Sequence, residues 1–130
     1  MAHTLSDIRL LADLTDAELN AIETIGEWRN YEAGDTIFEE GNPGTHLYLV
    51  VQGRAEISVS LGVAEQAPVH VSDTGSCFGE FVLFDRSERS ATTRAVESTR
   101  ILAVDANAIE DLFQKQPAVG YRVMHNLCQI

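Results

Sequence analysis

The chain has 130 residues, enough for one domain with a single hydrophobic core, and 45% of them are apolar, as in a globular protein. Its 20 acidic and 9 basic residues give a net charge of −11, which argues against direct binding to nucleic acid. Apolar runs such as 47–51 are too short to cross a bilayer, and no secretory signal is visible, so we expect a cytoplasmic protein. Two cysteines, Cys77 and Cys128, are too few for a disulfide framework.

The first predicted element is a helix within residues 1–27. Thr15 and Glu18 have the spacing of a capping box, in which each side chain bonds the backbone N–H of the other residue. Gly26 is predicted to end this helix. The helix would bury a stripe made of Leu19, Ile22 and Ile25.

Residues 28–104 have a different pattern, in which short apolar runs alternate with turn signals. Glycine-containing turns are predicted at 33–35, 41–44, 52–53 and 72–75, and strands return at 90–96 and 100–104. The stretch 61–68 is poorly patterned and is predicted to be a loop between two strands. Short strands at near-regular spacing favour an all-β roll or barrel.

Two further helices are predicted in residues 105–130. Asp105 caps a helix that runs from Ala106 to about Lys115, and the pair Gln116-Pro117 breaks it. A final helix follows, with an apolar stripe made of Val119, Val123, Leu127 and Ile130.

The most informative segment joins Phe78-Gly79-Glu80 to Arg89-Ser90-Ala91 through a short loop. Arginine presents a planar fork of donors suited to phosphate oxygens, and serine adds a neutral donor. Glycine lets backbone N–H groups approach an anion, and glutamate accepts the proton of a sugar hydroxyl. A helical turn over 78–83 would direct free N–H groups at the phosphate. These groups predict a ligand with two chemically different ends.

This segment resembles the phosphate-binding cassette of cyclic-nucleotide-binding domains, the family of the catabolite activator protein and the protein kinase A regulatory subunits. The residues 78–83 and 89–92 follow the family pattern, and the upstream run 37–53 carries the family's glycines. The resemblance covers nearly the whole chain. It implies ligand contacts from eight residues: Phe78, Gly79, Glu80, Phe81, Val82, Arg89, Ser90 and Ala91.

The resemblance also implies a fold and a mode of action. We expect a mainly β protein, an eight-stranded β roll (double-stranded β-helix or jelly-roll-like) at 28–104 with its cassette at 78–91. An N-terminal helix and C-terminal helices would flank this roll. The domain would bind cAMP or cGMP as a ligand rather than a cofactor, with no catalysis, and would shift its terminal helices on binding. The last helix would pair with a second copy or an effector domain, and the family's purine-capping residues lie beyond residue 130.

The sequence leaves two alternative functions open. Val82 stands where the family prefers a small residue and Thr93 where an aliphatic one is usual, so a scaffold domain with a degenerate cassette is the second hypothesis. A metal-dependent β-barrel enzyme is disfavoured because the four histidines lack the required spacing. Cys77 is predicted to be a buried small hydrophobe rather than a nucleophile. The Arg-Ser-Ala run favours cAMP slightly over cGMP.

Overall fold

A computed structural model describes residues 5–62, 65–83, 89 and 91–129, and the structural statements below concern these residues. They form eight strands arranged in two four-stranded antiparallel sheets. The strands are β1 (Gly26–Tyr31), β2 (Thr36–Phe38), β3 (His46–Gln52), β4 (Arg54–Gly62), β5 (Glu65–Asp73), β6 (Cys77–Phe78), β7 (Thr92–Ala95) and β8 (Thr99–Asp105). The first sheet has the order β1-β8-β3-β6 and the second β2-β7-β4-β5. The predicted eight-stranded roll is confirmed.

The two faces of the first sheet contribute to two separate hydrophobic clusters. One face packs against the helices through Leu47, Leu49, Leu102 and Val104, none of which is exposed to solvent. The opposite face meets the second sheet inside the roll, in a cluster of buried residues made of Tyr48, Val50, Ala55, Phe78, Ile101 and Ala103. The roll therefore has its own interior, distinct from the core beneath the helices.

The N-terminal helix α1 (Asp16–Ile25) begins with the predicted capping box. The Glu18 N–H donates to Thr15 Oγ1 at 3.2 Å, and the Thr15 N–H donates to Glu18 Oε1 at 2.8 Å. Gly26 ends the helix in an extended conformation, so a left-handed backbone is not the reason for glycine there. A Cβ at this position would lie 2.6 Å from Leu102 Cδ1, so close packing against β8 requires the glycine.

Helix α2 (Ala106–Lys115) follows β8 with the predicted boundaries, and the predicted final helix is α3 (Pro117–Gln129). Asp105 caps α2 by accepting from the N–H groups of Asn107 and Ala108. The buried Asn126 side chain of α3 donates to the carbonyls of Leu10 and Ala12. This contact ties the end of α3 to the N-terminal segment. In the described part of the chain, no helix is both long enough and apolar enough to cross a bilayer.

The predicted loop at 61–68 is wrong, because β4 runs to Gly62 and β5 begins at Glu65. The two strands pair antiparallel, with register shifts at Ile57/Ser58 and Ser60/Gly62. Each shift interrupts the two-residue alternation by which a strand is detected in a sequence. The pattern there therefore looked irregular although the backbone is extended.

The cassette and the strand after it also differ in detail from the prediction. Phe78 belongs to β6, which pairs with β3, so the helical turn is a 3₁₀ helix at Glu80–Leu83 rather than at 78–83. Strand β7 covers Thr92–Ala95, within the predicted 90–96, and β8 begins one residue before the predicted 100. Ser90 and Ile130 lie outside the described residues.

Candidate ligand-binding site

Arg89 is fixed at the backbone by the turn between β2 and β3. Its N–H donates to the Asn42 carbonyl at 2.7 Å, and its carbonyl accepts from the Gly41 N–H at 2.8 Å. Only 9% of the residue is exposed. The cassette arginine therefore lies inside the protein and not on a solvated loop.

The guanidinium of Arg89 is positioned by two backbone carbonyls. Nη2 donates to the carbonyl of His46, and Nη1 donates to the carbonyl of Gly79 at 3.3 Å. A guanidinium has five N–H donors, so at most three remain for another partner. Both acceptors are neutral, and no ion pair of Arg89 is found among the described residues.

An aromatic group, formed by Phe38, Tyr48 and Phe78, lies beneath the guanidinium. The Arg89 Cζ atom is 4.5 Å from the Phe38 ring centroid and 5.7 Å from that of Tyr48. Tyr48 in turn stacks on Phe78, with ring centroids 5.0 Å apart. The ring faces attract the cation while its N–H donors point outward from its edge, so stacking leaves those donors available.

Gly79 is required by its conformation and by its neighbours. Its φ is +73°, in the left-handed region that favours glycine. An added Cβ would lie 3.0 Å from Arg89 Nη1, 3.1 Å from the His46 carbonyl oxygen and 3.2 Å from Tyr48 Cδ2. Any side chain at this position would therefore clash with the Arg89 guanidinium or with the His46 and Tyr48 groups that contact it.

Burial lowers the pKa of Arg89 from its ordinary value, and the neighbouring Tyr48 and Glu80 partly offset this effect. Burial also raises the pKa of Tyr48. Glu80 is half-buried at the start of the 3₁₀ helix. The site thus combines a desolvated cation with a carboxylate close enough to influence it, as a ligand with an anionic and a hydroxylated end would need.

The structure brings together four of the eight residues predicted to bind ligand: Phe78, Gly79, Glu80 and Arg89. Ala91 is half-buried at the bend before β7. The backbones of Phe81 and Val82 lie in the 3₁₀ helix, and their side chains are outside what the structure describes. Ser90 lies outside the described residues.

Sequence reasoning did not identify three residues that organise this site: Phe38, His46 and Tyr48. Each lies more than 40 positions before Arg89 in the chain. Pairing of the strands that carry these residues brings them close to Arg89. Phe38 and Tyr48 belong to the upstream run that resembles the family, which was the available signal. His46 acts through its carbonyl, a group that every residue type carries.

Two titratable side chains near the site, those of Cys77 and His46, have shifted pKa values. Burial, followed by the charge of Glu80, raises the pKa of Cys77 to about 12, which disfavours the reactive thiolate. Burial and then Arg29 lower the pKa of His46. Cys77 packs against the core beneath the helices, as predicted for a small hydrophobe, but it is half-buried and not fully buried.

Comparison of the chain with known sequences assigns it to a family. A family profile described as the cyclic nucleotide-binding domain matches residues 28–116. The chain belongs to this family. The family resemblance predicted from the cassette is thereby confirmed.

Three relatives illustrate the similarity. The cyclic AMP receptor protein of Thermus thermophilus is 31% identical over 93% of this chain and 54% of its own length. The cAMP-dependent protein kinase regulatory subunit of Colletotrichum orbiculare is 32% identical over 83% of this chain and 27% of its own length. The crystal structure of the N-terminal domain of a transcriptional regulator from Streptomyces coelicolor has a TM-score of 0.84 and 25% identity, covering 96% of this chain and 89% of that one. The chain thus spans about half the length of the receptor protein and about a quarter of the length of the kinase regulatory subunit.

Proposed function

We propose that residues 1–130 form a regulatory domain that binds a cyclic nucleotide, and that Arg89 binds its phosphate. The observation that carries this proposal is a buried guanidinium that donates to the neutral carbonyls of His46 and Gly79 and has no ion pair among the described residues. Burying an unneutralised cation is costly. A phosphate would place a negative charge directly against this cation and accept bidentate hydrogen bonds from its remaining donors.

The other cassette residues fit the remaining parts of such a ligand. Glu80, half-buried and close enough to influence Arg89, would accept a hydrogen bond from the ribose hydroxyl. Gly79 has no side chain and so would let the sugar-phosphate ring approach the backbone. We favour cAMP over cGMP for two reasons. The Arg-Ser-Ala run is the first, and the second is that the names of two relatives refer to cyclic AMP or cAMP.

The proposed output is a shift in the position of the C-terminal helices, without a catalytic step. Helix α3 has an exposed tyrosine, Tyr121, of which 69% is accessible and which stacks on His125. The same helix is tied to the N-terminal segment through Asn126. A ligand that favours one arrangement of these helices would change what α3 presents to a second copy or to an effector domain.

Calorimetric titration of the purified chain with cAMP and then with cGMP tests the proposal. We expect binding by the parent and a loss of about thirtyfold or more in affinity for Arg89→Ala, since losing one partner of a buried charged contact costs about 2–5 kcal/mol. Arg100→Ala is the matched control, because this guanidinium also stacks on an aromatic ring, 4.4 Å from the centroid of Trp28, but outside the site.

The possible results separate the proposal from its rival. Binding by the parent and by Arg100→Ala, with loss in Arg89→Ala, supports a nucleotide sensor. Equal affinity in Arg89→Ala would show that the phosphate site is wrongly assigned. No binding of either nucleotide at millimolar concentration would overturn the function and leave an interaction scaffold as the better hypothesis.

A further inference from the structure

Thr93 lies on the inner face of the roll, although its side chain is polar. It belongs to β7, where it pairs with Phe38 of β2 on one side and with Ile57 of β4 on the other. Directly paired residues share a face of a sheet, and both partners pack against the buried cluster inside the roll. Thr93 is fully buried, whereas the next residue, Arg94, is exposed.

The hydroxyl of Thr93 has no hydrogen-bond partner among the described residues. Buried polar side-chain atoms in proteins usually have one, and leaving such an atom unsatisfied destabilises the fold. Valine has nearly the same shape without this cost. A buried hydroxyl with no partner among the described residues therefore points to a partner that arrives with a ligand.

The position of Thr93 relative to Arg89 indicates which part of the ligand that partner belongs to. Thr93 pairs with Phe38, and the Arg89 Cζ atom lies 4.5 Å from the Phe38 ring centroid. The phosphate end of the ligand would therefore lie to one side of Thr93. The ribose end is assigned to Glu80. The base is the remaining polar part, and it would enter the roll interior, which is lined by apolar side chains of both sheets.

We infer that Thr93 reads the base of the bound nucleotide, by a hydrogen bond between its hydroxyl and an exocyclic group of the purine. This inference rests on the proposed function. The hydroxyl both donates and accepts, so it can pair with either an amino or a keto group. Thr93 is then a specificity-determining residue that costs stability in the free protein and contributes affinity in the complex.

The variants Thr93→Val and Thr93→Ser test this inference with three probes: cAMP, cGMP and the cyclic phosphate of unsubstituted purine riboside, which lacks exocyclic groups. In the parent, the better of the two natural nucleotides should bind about three- to tenfold more tightly than the unsubstituted one, the effect of one neutral hydrogen bond. Thr93→Val should remove this difference, and Thr93→Ser, which keeps the hydroxyl, should restore it.

Thermal unfolding without ligand supplies a second measurement. In it, Thr93→Val should not lower stability, although the same substitution lowers affinity. Removing an unsatisfied hydroxyl should leave the midpoint of Thr93→Val unchanged or raise it, so weaker binding in that variant would not reflect damage to the fold. A lower midpoint would show that the hydroxyl has a partner in the free protein and would overturn the inference.

The outcomes also separate this inference from the function on which it rests. If the parent binds cyclic nucleotides and Thr93→Val keeps the parent's preference among the three probes, Thr93 does not read the base and the function stands. If the parent binds all three probes equally, Thr93 again does not read the base and the function again stands. If the parent binds none of them, both the inference and the proposed function are wrong.

Discussion

Replacement of Phe38 by leucine tests whether the aromatic ring beneath Arg89 organises the binding site. Leucine keeps an apolar side chain in the roll interior but removes the ring face that lies 4.5 Å from the guanidinium. The cation–π contact is present with and without ligand, so most of its energy cancels in a binding measurement. What does not cancel is the cost of ordering an arginine that is no longer held in place. That cost is about 0.5–1.5 kcal/mol for a long side chain, which predicts a twofold to twelvefold weaker affinity.

The same substitution should lower the free energy of unfolding. A desolvated cation–π contact contributes about 2 kcal/mol, and the ring also lies 5.6 Å from Tyr48, a contact of about 0.5–1.5 kcal/mol. Urea denaturation and calorimetric titration with cAMP measure the two effects on one preparation. Phe113→Leu is the control, because this half-buried ring of α2 packs against the core beneath the helices and not against the cluster inside the roll.

We expect that only Phe38→Leu weakens binding, while both variants lose stability. Affinity within twofold of the parent in Phe38→Leu would show that the two backbone carbonyls alone hold the guanidinium. An equal loss of affinity in Phe113→Leu would show that binding follows global stability and not the order of the cassette arginine.

Three further predictions concern the surroundings of the site. Gly79→Ala should weaken cAMP binding about tenfold in a titration, because the methyl group would lie 3.0 Å from Arg89 Nη1 and would displace the guanidinium that is proposed to hold the phosphate; affinity equal to the parent would refute this. Burial and a nearby guanidinium lower the pKa of His46 below 6.5, so the unfolded chain binds this proton more readily, and stability to urea should fall as the pH drops through 6.5. His46→Gln should reduce that fall; a pH dependence equal to that of the parent would contradict it. At pH 8 a thiol reagent should modify the exposed Cys128 quickly and Cys77, whose pKa is raised to about 12, only on unfolding; two fast equivalents would contradict it.

The helix boundaries were predictable because their signals are local. Thr15 and Glu18 are three residues apart, and Asp105 caps residues two and three positions later, so each signal and its effect fall within one turn of helix. The hairpin of β4 and β5 was not predictable, since its bulges remove the alternation and its pairing is set by the sheet. Local chemistry can be read directly from a sequence, whereas strand register depends on the whole fold.

In the candidate binding site, too, the features set by local sequence were predictable and those set by strand pairing were not. Gly79, Glu80 and Arg89 are near one another in the chain, and the chemistry of their side chains and backbone is enough to indicate a phosphate and sugar ligand. The ring of Phe38 and the carbonyl of His46 reach Arg89 from 51 and 43 positions away, through pairing of strands in both sheets. The sequence showed that Thr93 was an unusual choice, but only the fold shows that its hydroxyl is buried with no partner among the described residues.

The charge of the chain explains why these interior groups must decide what binds. A net charge of −11 repels an anionic nucleotide at long range, so attraction by the whole protein cannot concentrate the ligand near the site. Arg89 is buried, and its interaction with a phosphate would take place at contact distance, where desolvation makes it strong and little screened by salt. Affinity then depends on how well the guanidinium is held, and selectivity depends on the few polar groups of the roll interior. Under the proposed function, the aromatic group beneath Arg89 would act on affinity and the hydroxyl of Thr93 on selectivity.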